Sequence, residues 1–428
     1  MDRCMTKDIS KHPCFNPEVK KTMARVHIPV APACNIQCLF CNRKYDCVNE
    51  SRPGVTSAVF SPRQALLYVE NMKKRVPNLS VVGVAGPGDA FAEPEKTLEC
   101  LKLIHEKFPE ILLCVSTNGL NAAEYVADFA AVGMSHLTVT VNAVDPEIGR
   151  NIYAWMRYKK KIYRGTEGAQ LLLNNQIETV RAAVDAGLIV KINCIYIPGV
   201  NDHHVAEVAR VMSQLGADLF NCMPLKPVED TVFEDIEEPS ERVIADVRKE
   251  CSDYITQMFH CGRCRADAAG IIGEENNKEI VELMREISNG PLDPLSDRKY
   301  VAAATREGML INQHLGEAEF ISIYQLCEGK VVLKEKRRTP AAGTGDLRWV
   351  EFAQMCRDCS AVLVSGVGVK PKKILEERGI KVFETQGMIN YAVEAVYMGR
   401  TKEILNRKCS SGCGKGITCS GSGGGCGA

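Results

Sequence analysis

The sequence lacks three features that would place the protein in other classes. It has 53 basic and 53 acidic residues among 428, so the formal net charge is zero, whereas a general nucleic-acid or anionic-membrane binder needs a basic excess. The sequence contains no run of about 18 apolar residues, so it predicts no segment that spans a bilayer. The opening run MDRCMTKDIS is charged, unlike a secretory signal. We therefore expect a cytoplasmic protein without nucleic-acid or membrane partners.

The composition is otherwise that of a globular protein, with one excess. Hydrophobic residues make up 45% and charged residues 25%, and the length allows two domains and a tail. The 20 cysteines are many for a reducing compartment, where they suggest metal ligation. The alternative is that many are small buried hydrophobes. We expect this of five cysteines inside apolar patterns: Cys100, Cys194, Cys222, Cys251 and Cys327.

One loop carries the strongest chemical signal. An apolar strand, Val26 to Val30, leads into Cys34, Cys38 and Cys41 with C-x3-C-x2-C spacing. Zinc sites prefer paired C-x2-C units, and a disulfide framework is not expected without a signal peptide. This spacing instead fits three irons of a [4Fe-4S] cube with the fourth iron open. It resembles the signature of the radical S-adenosylmethionine (SAM) enzymes, which also prefer an aromatic residue at the position of Phe40.

The chain after this loop alternates strands and helices. Six βα units predict a parallel sheet in a partial (βα)6 barrel, with ligands beyond the carboxyl ends of the strands. A lone GPGD would be read simply as a turn, but unusual residues follow five strands in succession. These are the cysteine loop, GPGD from Gly86, Asn118-Gly119, Asn142, and IPGVND from Ile197.

The remaining chain predicts further parts around this barrel. A helix from about Ser240 to His260 should follow the sixth strand. A second, smaller α/β domain should contain the strands KYVAAATR, GMLINQHL, EFISIYQL, AVLVSG and KVFET and two helices. The Gly/Ser-rich tail either handles metal or is a flexible segment with incidental thiols. The predicted limits are an arm at 1–23, the barrel at 24–288, a linker at 289–297, the second domain at 298–405 and the tail at 406–428.

A second group of potential ligands is scattered along the chain. By pattern alone, His27 and Cys114 would be core residues of strands, while Cys261 and Cys264 form a C-x2-C pair. Cys356 and Cys359 form another such pair before a buried strand, where packing and metal binding are equally good interpretations. The full second group is Cys14, His27, Cys47, Cys114, Cys261 and Cys264.

Several runs together resemble the NifB family over nearly the whole chain. They are HPCFN, ARVHIPVAPACNIQC, CNRKYDCVNESRPGV, AGPGD and CGRCRADAAG. The resemblance implies a radical SAM barrel with a C-terminal NifX-like domain. It also implies an enzyme that fuses two [4Fe-4S] clusters, with a SAM-derived carbide and an added sulfur, into the eight-iron precursor of the nitrogenase iron-molybdenum cofactor. One SAM would give the methyl group, and a second would give the radical that attacks it.

The family's roles carry over by position. Cys34, Cys38 and Cys41 would hold the SAM-cleaving cluster. Two substrate clusters would also bind, which makes three [4Fe-4S] clusters in all. The first substrate cluster would bind to Cys14, His27, Cys47 and Cys114, and the second to Cys261 and Cys264. An incomplete or mixed ligand set suits a cluster that must leave, because imidazole is neutral and departs more easily than thiolate.

The resemblance also implies contacts to SAM. Phe40 would lie beside the adenine, and the backbone of Gly86 and Gly88 would meet the methionine amino group. Thr140 and Met223 would line the cofactor, although strand-end packing explains them nearly as well. Glu50 and Arg52 would handle protons or position SAM, or else form a surface ion pair. Expected partners are iron-sulfur cluster donors, electron donors and downstream cofactor carriers or scaffolds.

Two other functions fit parts of the sequence. A radical SAM enzyme of molybdopterin-precursor type also carries a run like IPGVND, but it needs a C-x2-C-x13-C set that Cys261 and Cys264 do not begin. An iron-sulfur scaffold or carrier would use the second domain and tail without cleaving SAM.

Overall fold

A computed structural model describes residues 9–405 apart from 274–277, 291–297, 328, 342 and 344. Contacts divide the chain into two compact units between Arg285 and Glu286. The predicted tail and most of the predicted linker, as well as the first eight residues of the arm, lie outside the described residues. The predicted domain limits stay predictions.

The first unit contains a seven-stranded sheet and a small three-stranded one. Their strands are β1 (Ala24–His27), β2 (Ile36–Cys38), β3 (Leu79–Val84), β4 (Leu112–Thr117), β5 (Met134–Thr140), β6 (Tyr153–Tyr158), β7 (Lys161–Tyr163), β8 (Ile189–Tyr196), β9 (Leu219–Pro224) and β10 (Ala269–Gly270). The large sheet has the order β10-β1-β3-β4-β5-β8-β9. Six neighbouring strands are parallel, and β10 runs antiparallel to β1.

Helices connect the parallel strands, which confirms the prediction of a partial barrel built from six βα units. The helices are α1 (Pro62–Arg75), α2 (Pro94–Lys107), α3 (Val126–Ala131), α4 (Pro146–Gly149), α5 (Gly165–Asp185), α6 (Val205–Gln214), α7 (Glu241–Cys251) and α8 (Lys278–Asn289). At the start of α1, Ser61 Oγ accepts from the Gln64 N–H, and Gln64 Oε1 accepts from the Ser61 N–H. This capping box satisfies two backbone donors that the helix itself leaves unpaired.

Two segments of the first unit differ from their prediction. Helix α7 ends at Cys251, well before His260, and the chain beyond it lies beside the edge strand β9. There Phe220 donates its N–H to the Thr256 carbonyl, and Met258 donates its N–H to the Phe220 carbonyl. Backbone pairing at an open sheet edge thus replaces the last helical turns. The second segment is YAWMRYKKKIYRGTEG, which the sequence predicts only as a long basic insert before a helix. Its first part forms the hairpin of β6 and β7, which pairs with β2.

The second unit confirms the prediction of a smaller α/β domain. Its strands are β11 (Tyr300–Ala303), β12 (Leu310–Ile311), β13 (Phe320–Cys327), β14 (Lys330–Arg338), β15 (Cys359–Val364), β16 (Lys381–Glu384) and β17 (Gly387–Met388). Its helices are α9 (Asp346–Met355), α10 (Val369–Glu377), α11 (Ile389–Tyr397) and α12 (Thr401–Leu405). The main sheet has the order β14-β13-β11-β15-β16, with an apolar cluster on each face. Strand β14 was not predicted because it is a charged, mostly exposed edge strand.

The five cysteines expected in the core divide four to one. Cys100, Cys194, Cys222 and Cys251 are buried, whereas Cys327 is exposed at the end of β13, so its prediction was wrong. Apolar neighbours in the sequence did not reveal that the strand end lies at the surface. None of the described helices is long and apolar enough to cross a membrane.

Candidate active site

The inside of the open barrel is polar. Alternate residues of a strand point to opposite faces, so every second residue of each parallel strand faces inward. These inward positions carry Arg25 and His27 on β1, Cys114 and Ser116 on β4, Thr138 and Thr140 on β5, Lys191 and Asn193 on β8, and Asn221 and Met223 on β9. Burying polar groups is costly unless they find partners, so this lining marks a binding site.

Two adjacent cavities occupy this space. The first, here called the loop cavity, is lined by Cys34, Cys38, Cys41 and Cys47 together with side chains at the ends of β3, β4 and β5. The second, the barrel cavity, is lined by Cys14, His27, Cys114, Cys261 and Cys264. Glu50 and Ser116 line both cavities, so they form the wall between them.

The cysteine loop is held in place from two sides. Strand β2, which ends at Cys38, pairs with β6 of the basic hairpin. On the other side, Gly88 donates its N–H to the Ala31 carbonyl at 2.6 Å. A Cβ at Gly88 would come within 2.0 Å of the Ala33 carbonyl oxygen, so only glycine fits there. The loop therefore depends on the GPGD segment for its shape.

The thiols of the loop cavity are suited to a metal cluster. Burial, then repulsion by Cys41 and Cys34, raises the pKa of Cys38 well above its ordinary value, and the same causes raise the pKa of Cys47. Asn49 Nδ2 donates to Cys38 Sγ at 3.5 Å and to Cys47 Sγ at 3.8 Å. Such crowded thiols ionise readily only when a cation neutralises them, as the irons of a cluster do.

The spacing of the possible ligands argues against a single metal ion. Within the described residues, no three His, Cys, Asp or Glu side chains converge closely enough to hold one. A cube-shaped cluster has a different requirement, because each cysteine binds its own iron at a separate corner. The three cysteines around one cavity fit this requirement, and Cys34, Cys38 and Cys41 would hold the cluster.

The barrel cavity brings together five of the six residues of the second ligand group. Cys47 is the exception, since it lies in the loop cavity beside the three motif cysteines. Cys114 is the third of the six residues of β4, so the barrel cavity lies inside the barrel and not only at its rim. Burial raises the pKa of Cys114 to about 11, against the opposing effect of Lys191.

His27 is prepared to act as a ligand. Its Nδ1 lies 3.0 Å from the Arg265 carbonyl oxygen, which can only accept, so Nδ1 carries the proton and Nε2 keeps its lone pair. Burial, then the charge of Arg25, lowers the pKa of His27 to about 4 and keeps the ring neutral. Gly83 on β3 leaves room for the ring, because a Cβ there would meet His27 Cδ2 at 3.2 Å. Metal-binding histidines are commonly oriented in this way.

Polar contacts also reach the C-x2-C pair. Arg25 donates from a terminal guanidinium nitrogen to Cys264 Sγ at 2.9 Å, and Asn221 Nδ2 donates to Cys261 Sγ at 3.5 Å. Positively charged or amide donors stabilise a thiolate. Both sulfurs therefore have polar donors beside them at the wall of the barrel cavity.

Glu50 connects the two cavities chemically. Its Oε1 accepts from Thr140 Oγ1, and its Oε2 accepts from Asn193 Nδ2 at 3.0 Å. Burial raises the pKa of Glu50 to about 7. A carboxyl group with this pKa can gain or lose a proton near neutral pH.

The other predicted SAM contacts are distributed unevenly. Gly88 and Thr140 line the loop cavity, and Met223 lines the barrel cavity. Phe40 is fully buried against Phe233, Gly86 adjoins Ala266, and Arg52 is an exposed residue beside a third, arginine-rich cavity. The structure thus does not bring Phe40, Gly86 or Arg52 into either thiol cavity.

The sequence places Asp89 and Asn118 only at strand ends, without a role, and it does not predict Arg25 or Lys191 in the site. Asp89 accepts from the Asn118 N–H at 2.6 Å, and Asn118 Nδ2 reaches Cys34 Sγ at 3.7 Å. Arg25 and Lys191 line the barrel cavity. One signal could have found Lys191: it is a charge within the buried strand IVKINCIY, two residues from Asn193 and therefore on the same face.

Cys356 and Cys359 lie elsewhere, in the second unit. Both are fully buried between α9 and β15, and the Cys359 N–H donates to the Cys356 carbonyl at 2.9 Å. Beside them, Arg337 forms a two-point ion pair with Asp358, with bonds of 2.6 and 2.7 Å. Packing accounts for the position of this pair within its unit.

Comparison with known proteins decides the family. Residues 28–212 match the Radical SAM superfamily, and residues 297–399 match the family described as Dinitrogenase iron-molybdenum cofactor. The FeMo cofactor biosynthesis protein NifB of Chlorobaculum tepidum is 48% identical over 424 residues, which cover 99% of this chain and 100% of that protein. The chain belongs to the NifB family.

Further NifB relatives agree. The protein of Klebsiella pneumoniae is 38% identical over 86% of both chains, and that of Frankia alni is 34% identical over 92% of this chain and 88% of its own. The resemblance expected from the sequence is confirmed. As a member of the NifB family, the chain is a radical SAM enzyme of FeMo-cofactor biosynthesis, and its chemistry uses a [4Fe-4S] cluster and SAM.

Proposed function

We propose that this enzyme joins two [4Fe-4S] clusters into an eight-iron core, with a central carbon taken from the SAM methyl group and one added sulfur. The product would be the precursor of the nitrogenase iron-molybdenum cofactor. The observation that carries this proposal is the pair of adjacent thiol-lined cavities, which share Glu50 and Ser116. One cavity suits a resident cluster, and the other suits a cargo.

The loop cavity would hold the resident cluster and SAM. A cluster bound by Cys34, Cys38 and Cys41 supplies the electron that cleaves SAM. Asn118 and Asn49 would donate to its sulfur ligands, and the tightly packed Gly88 backbone would fix the position of the methionine end of SAM. Thr140, bonded to Glu50, would orient the carboxyl group toward bound SAM.

The barrel cavity would receive the substrate clusters. Its ligand set mixes one neutral imidazole with thiols from Cys14, Cys114, Cys261 and Cys264. Cys14 has charge neighbours in both Cys114 and Cys264, so its position bridges the two predicted ligand groups. Such a mixed set holds a cluster less permanently than four thiolates do, which suits a substrate that becomes product.

Glu50 would hold or move a proton at its Oε atoms between the cavities. One hydrogen atom of the methyl group would pass to the radical from the second SAM, which becomes 5′-deoxyadenosine. The further hydrogens would leave as protons, and Glu50, with its pKa raised by burial to about 7, would accept them. Cys47, in the loop cavity, would serve as a ligand at the boundary.

The second unit and the partners complete the proposal. The NifX-like unit, residues 298–405, would hold the product before transfer. Cluster donors and electron donors would act before the reaction, and cofactor carriers or scaffolds would act after it, all in the cytoplasm.

Product and iron analysis tests the proposal. The protein is reconstituted anaerobically, its iron is counted, and SAM with dithionite is added. We expect iron for three clusters and both S-adenosylhomocysteine and 5′-deoxyadenosine. If only one of these two products is detected, the two-SAM scheme is wrong. Iron for a single cluster would defeat cluster fusion, and the absence of SAM cleavage would favour a carrier.

A further inference from the structure

Lys191 is a buried cation that makes no direct polar contact with the residues that the structure describes. The side chain lies on β8 and is 9% exposed. It forms no hydrogen bond or ion pair with any of the residues that the structure describes. Its Nζ lies 5.2 Å from the centre of the Phe15 ring, which is its only described ring contact. Glu50 and the thiols of Cys14, Cys114 and Cys261 attract this charge without bonding to it, so the N–H donors of the ammonium group are not used by the described residues. A buried donor of this kind is stabilised when a bound group accepts from it.

The surroundings of Lys191 indicate what that group is. Lys191 lines the barrel cavity together with Cys14, Cys114 and Cys261, and its charge acts on the first two thiols. Arg25 and Arg263 add two more cations to the same lining, against the single carboxyl group of Glu50. The cavity is therefore electropositive, while clusters bound by thiolates carry net negative charge. A neutral ligand would leave this excess unbalanced.

Phe15 and the strand fix the direction of the lysine. Phe15, on the arm, packs against Ile189 and Leu219 at the starts of β8 and β9. Lys191 extends over this ring from the inward face of β8, two residues after Ile189. The ammonium group thus lies over the Phe15 ring at the wall of the barrel cavity.

We propose that Lys191 is the counter-charge that binds and positions an anionic substrate cluster in the barrel cavity. This inference rests on the proposed function and names a residue that neither the family motif nor the ligand set includes. Lys191 would contribute charge and N–H donation to cluster sulfides, and it would not itself ligate iron.

The substitution Lys191→Met tests the inference, with Lys191→Arg as the conservative variant and Lys226→Met as the control. Lys226 pairs with Glu238 outside both thiol cavities. Each protein is reconstituted anaerobically without SAM, and its retained iron, its paramagnetic resonance spectrum and its cluster reduction potentials are measured. For Lys191→Met we expect roughly tenfold weaker retention of substrate-cluster iron and a lower reduction potential, because a nearby positive charge favours the reduced, more negative cluster.

Thermal unfolding supplies a second readout that a merely structural lysine would not give. Before clusters are loaded, Lys191→Met should unfold at about the same temperature, because the substitution removes both the cost of burying the charge and its attraction to Glu50 and the thiols. After loading, it should gain less stability than the unmodified protein does. Lys191→Arg should restore iron retention, and Lys226→Met should match the unmodified protein.

The outcomes separate the inference from the function beneath it. Normal iron, potentials and spectra in Lys191→Met would overturn the inference. If Cys261→Ala loses substrate-cluster iron in the same experiment, the proposed function is retained although the inference about Lys191 is wrong. Iron for only one cluster in the unmodified protein would overturn both.

Discussion

The two cavities differ in how the chain supplies their ligands. The four thiols of the loop cavity come from one continuous loop, which β6 and the GPGD segment brace. The ligands of the barrel cavity come from the arm, β1, β4 and the segment after α7. A local, braced loop suits a cofactor that stays, because its geometry needs little of the remaining fold. A dispersed set forms only when the whole barrel has closed, which suits a cargo.

Their electrostatics differ in the same sense. The loop cavity is lined by one cation, Arg43, and by the carboxyl groups of Asp89 and Glu50. Around the barrel cavity, Arg25, Lys191 and Arg263 outnumber Glu50. The lining of the barrel cavity thus has an excess of positive charge, which favours an anionic ligand. The lining of the loop cavity has no such excess. The following predictions test this division.

The largest effect is expected for Cys38→Ala. Removing one of three ligands should release the resident cluster, so the formation of 5′-deoxyadenosine should fall at least about a thousandfold. The iron of the barrel cavity should remain, because none of its ligands changes. Chromatography of the products and an iron count measure both results. Substantial 5′-deoxyadenosine from this variant would refute the assignment of the loop cavity.

Glu50→Gln should lower product formation by about a hundredfold, which is the usual size of a lost proton-transfer group. The amide keeps the shape and can still bond to Thr140, so iron in both cavities should be normal. Glu147→Gln, on the exposed helix α4, is the control. If Glu50→Gln keeps full activity, the wall between the cavities has no part in proton transfer.

Cys114→Ala should reduce the affinity for substrate-cluster iron by about tenfold while SAM cleavage continues. The matched control is Cys222→Ala, which also removes a strand cysteine but from the apolar core. That control should cost roughly 1–2 kcal/mol of stability and no iron. Equal iron in the two variants would mean that Cys114 is a core residue, as its strand pattern alone suggests.

Gly88→Ala should have a smaller and more local effect. The new methyl group would collide with the Ala33 carbonyl, so the cysteine loop must shift, at a cost of about 1–3 kcal/mol. SAM cleavage should fall several-fold, and barrel-cavity iron should not change. Gly149→Ala, where the Cβ meets only another methyl group at 3.0 Å, is the comparison. Loss of barrel iron in Gly88→Ala would show that the two cavities are mechanically linked.

The parts of the fold with strong periodic patterns could be predicted from the sequence. The buried strands β3 and β8 and the capped helix α1 have local signals, and repeated βα units allow only a few topologies. The hairpin of β6 and β7 could not be predicted because its residues are basic and mostly not fully buried. Only the structure shows that this hairpin pairs with β2 and so supports the cysteine loop.

The site could be predicted in part and for different reasons. Cysteine spacing alone predicts Cys34, Cys38 and Cys41 as ligands. His27 and Cys114 are predicted only from the family resemblance, since each looks like an ordinary strand residue. The placement of Cys47 in the loop cavity was not predicted. Its position in the sequence does not determine which of the two cavities its side chain lines. Lys191 and Arg25 were missed because a single charge in an apolar strand has no spacing rule.

The shared wall of Glu50 and Ser116 has a kinetic consequence. A short-lived radical formed in the loop cavity would reach a substrate in the barrel cavity without diffusing through solvent, where it would be quenched. Because Glu50 and Ser116 line both cavities, the proposed transfer would need neither a long tunnel nor a swinging arm.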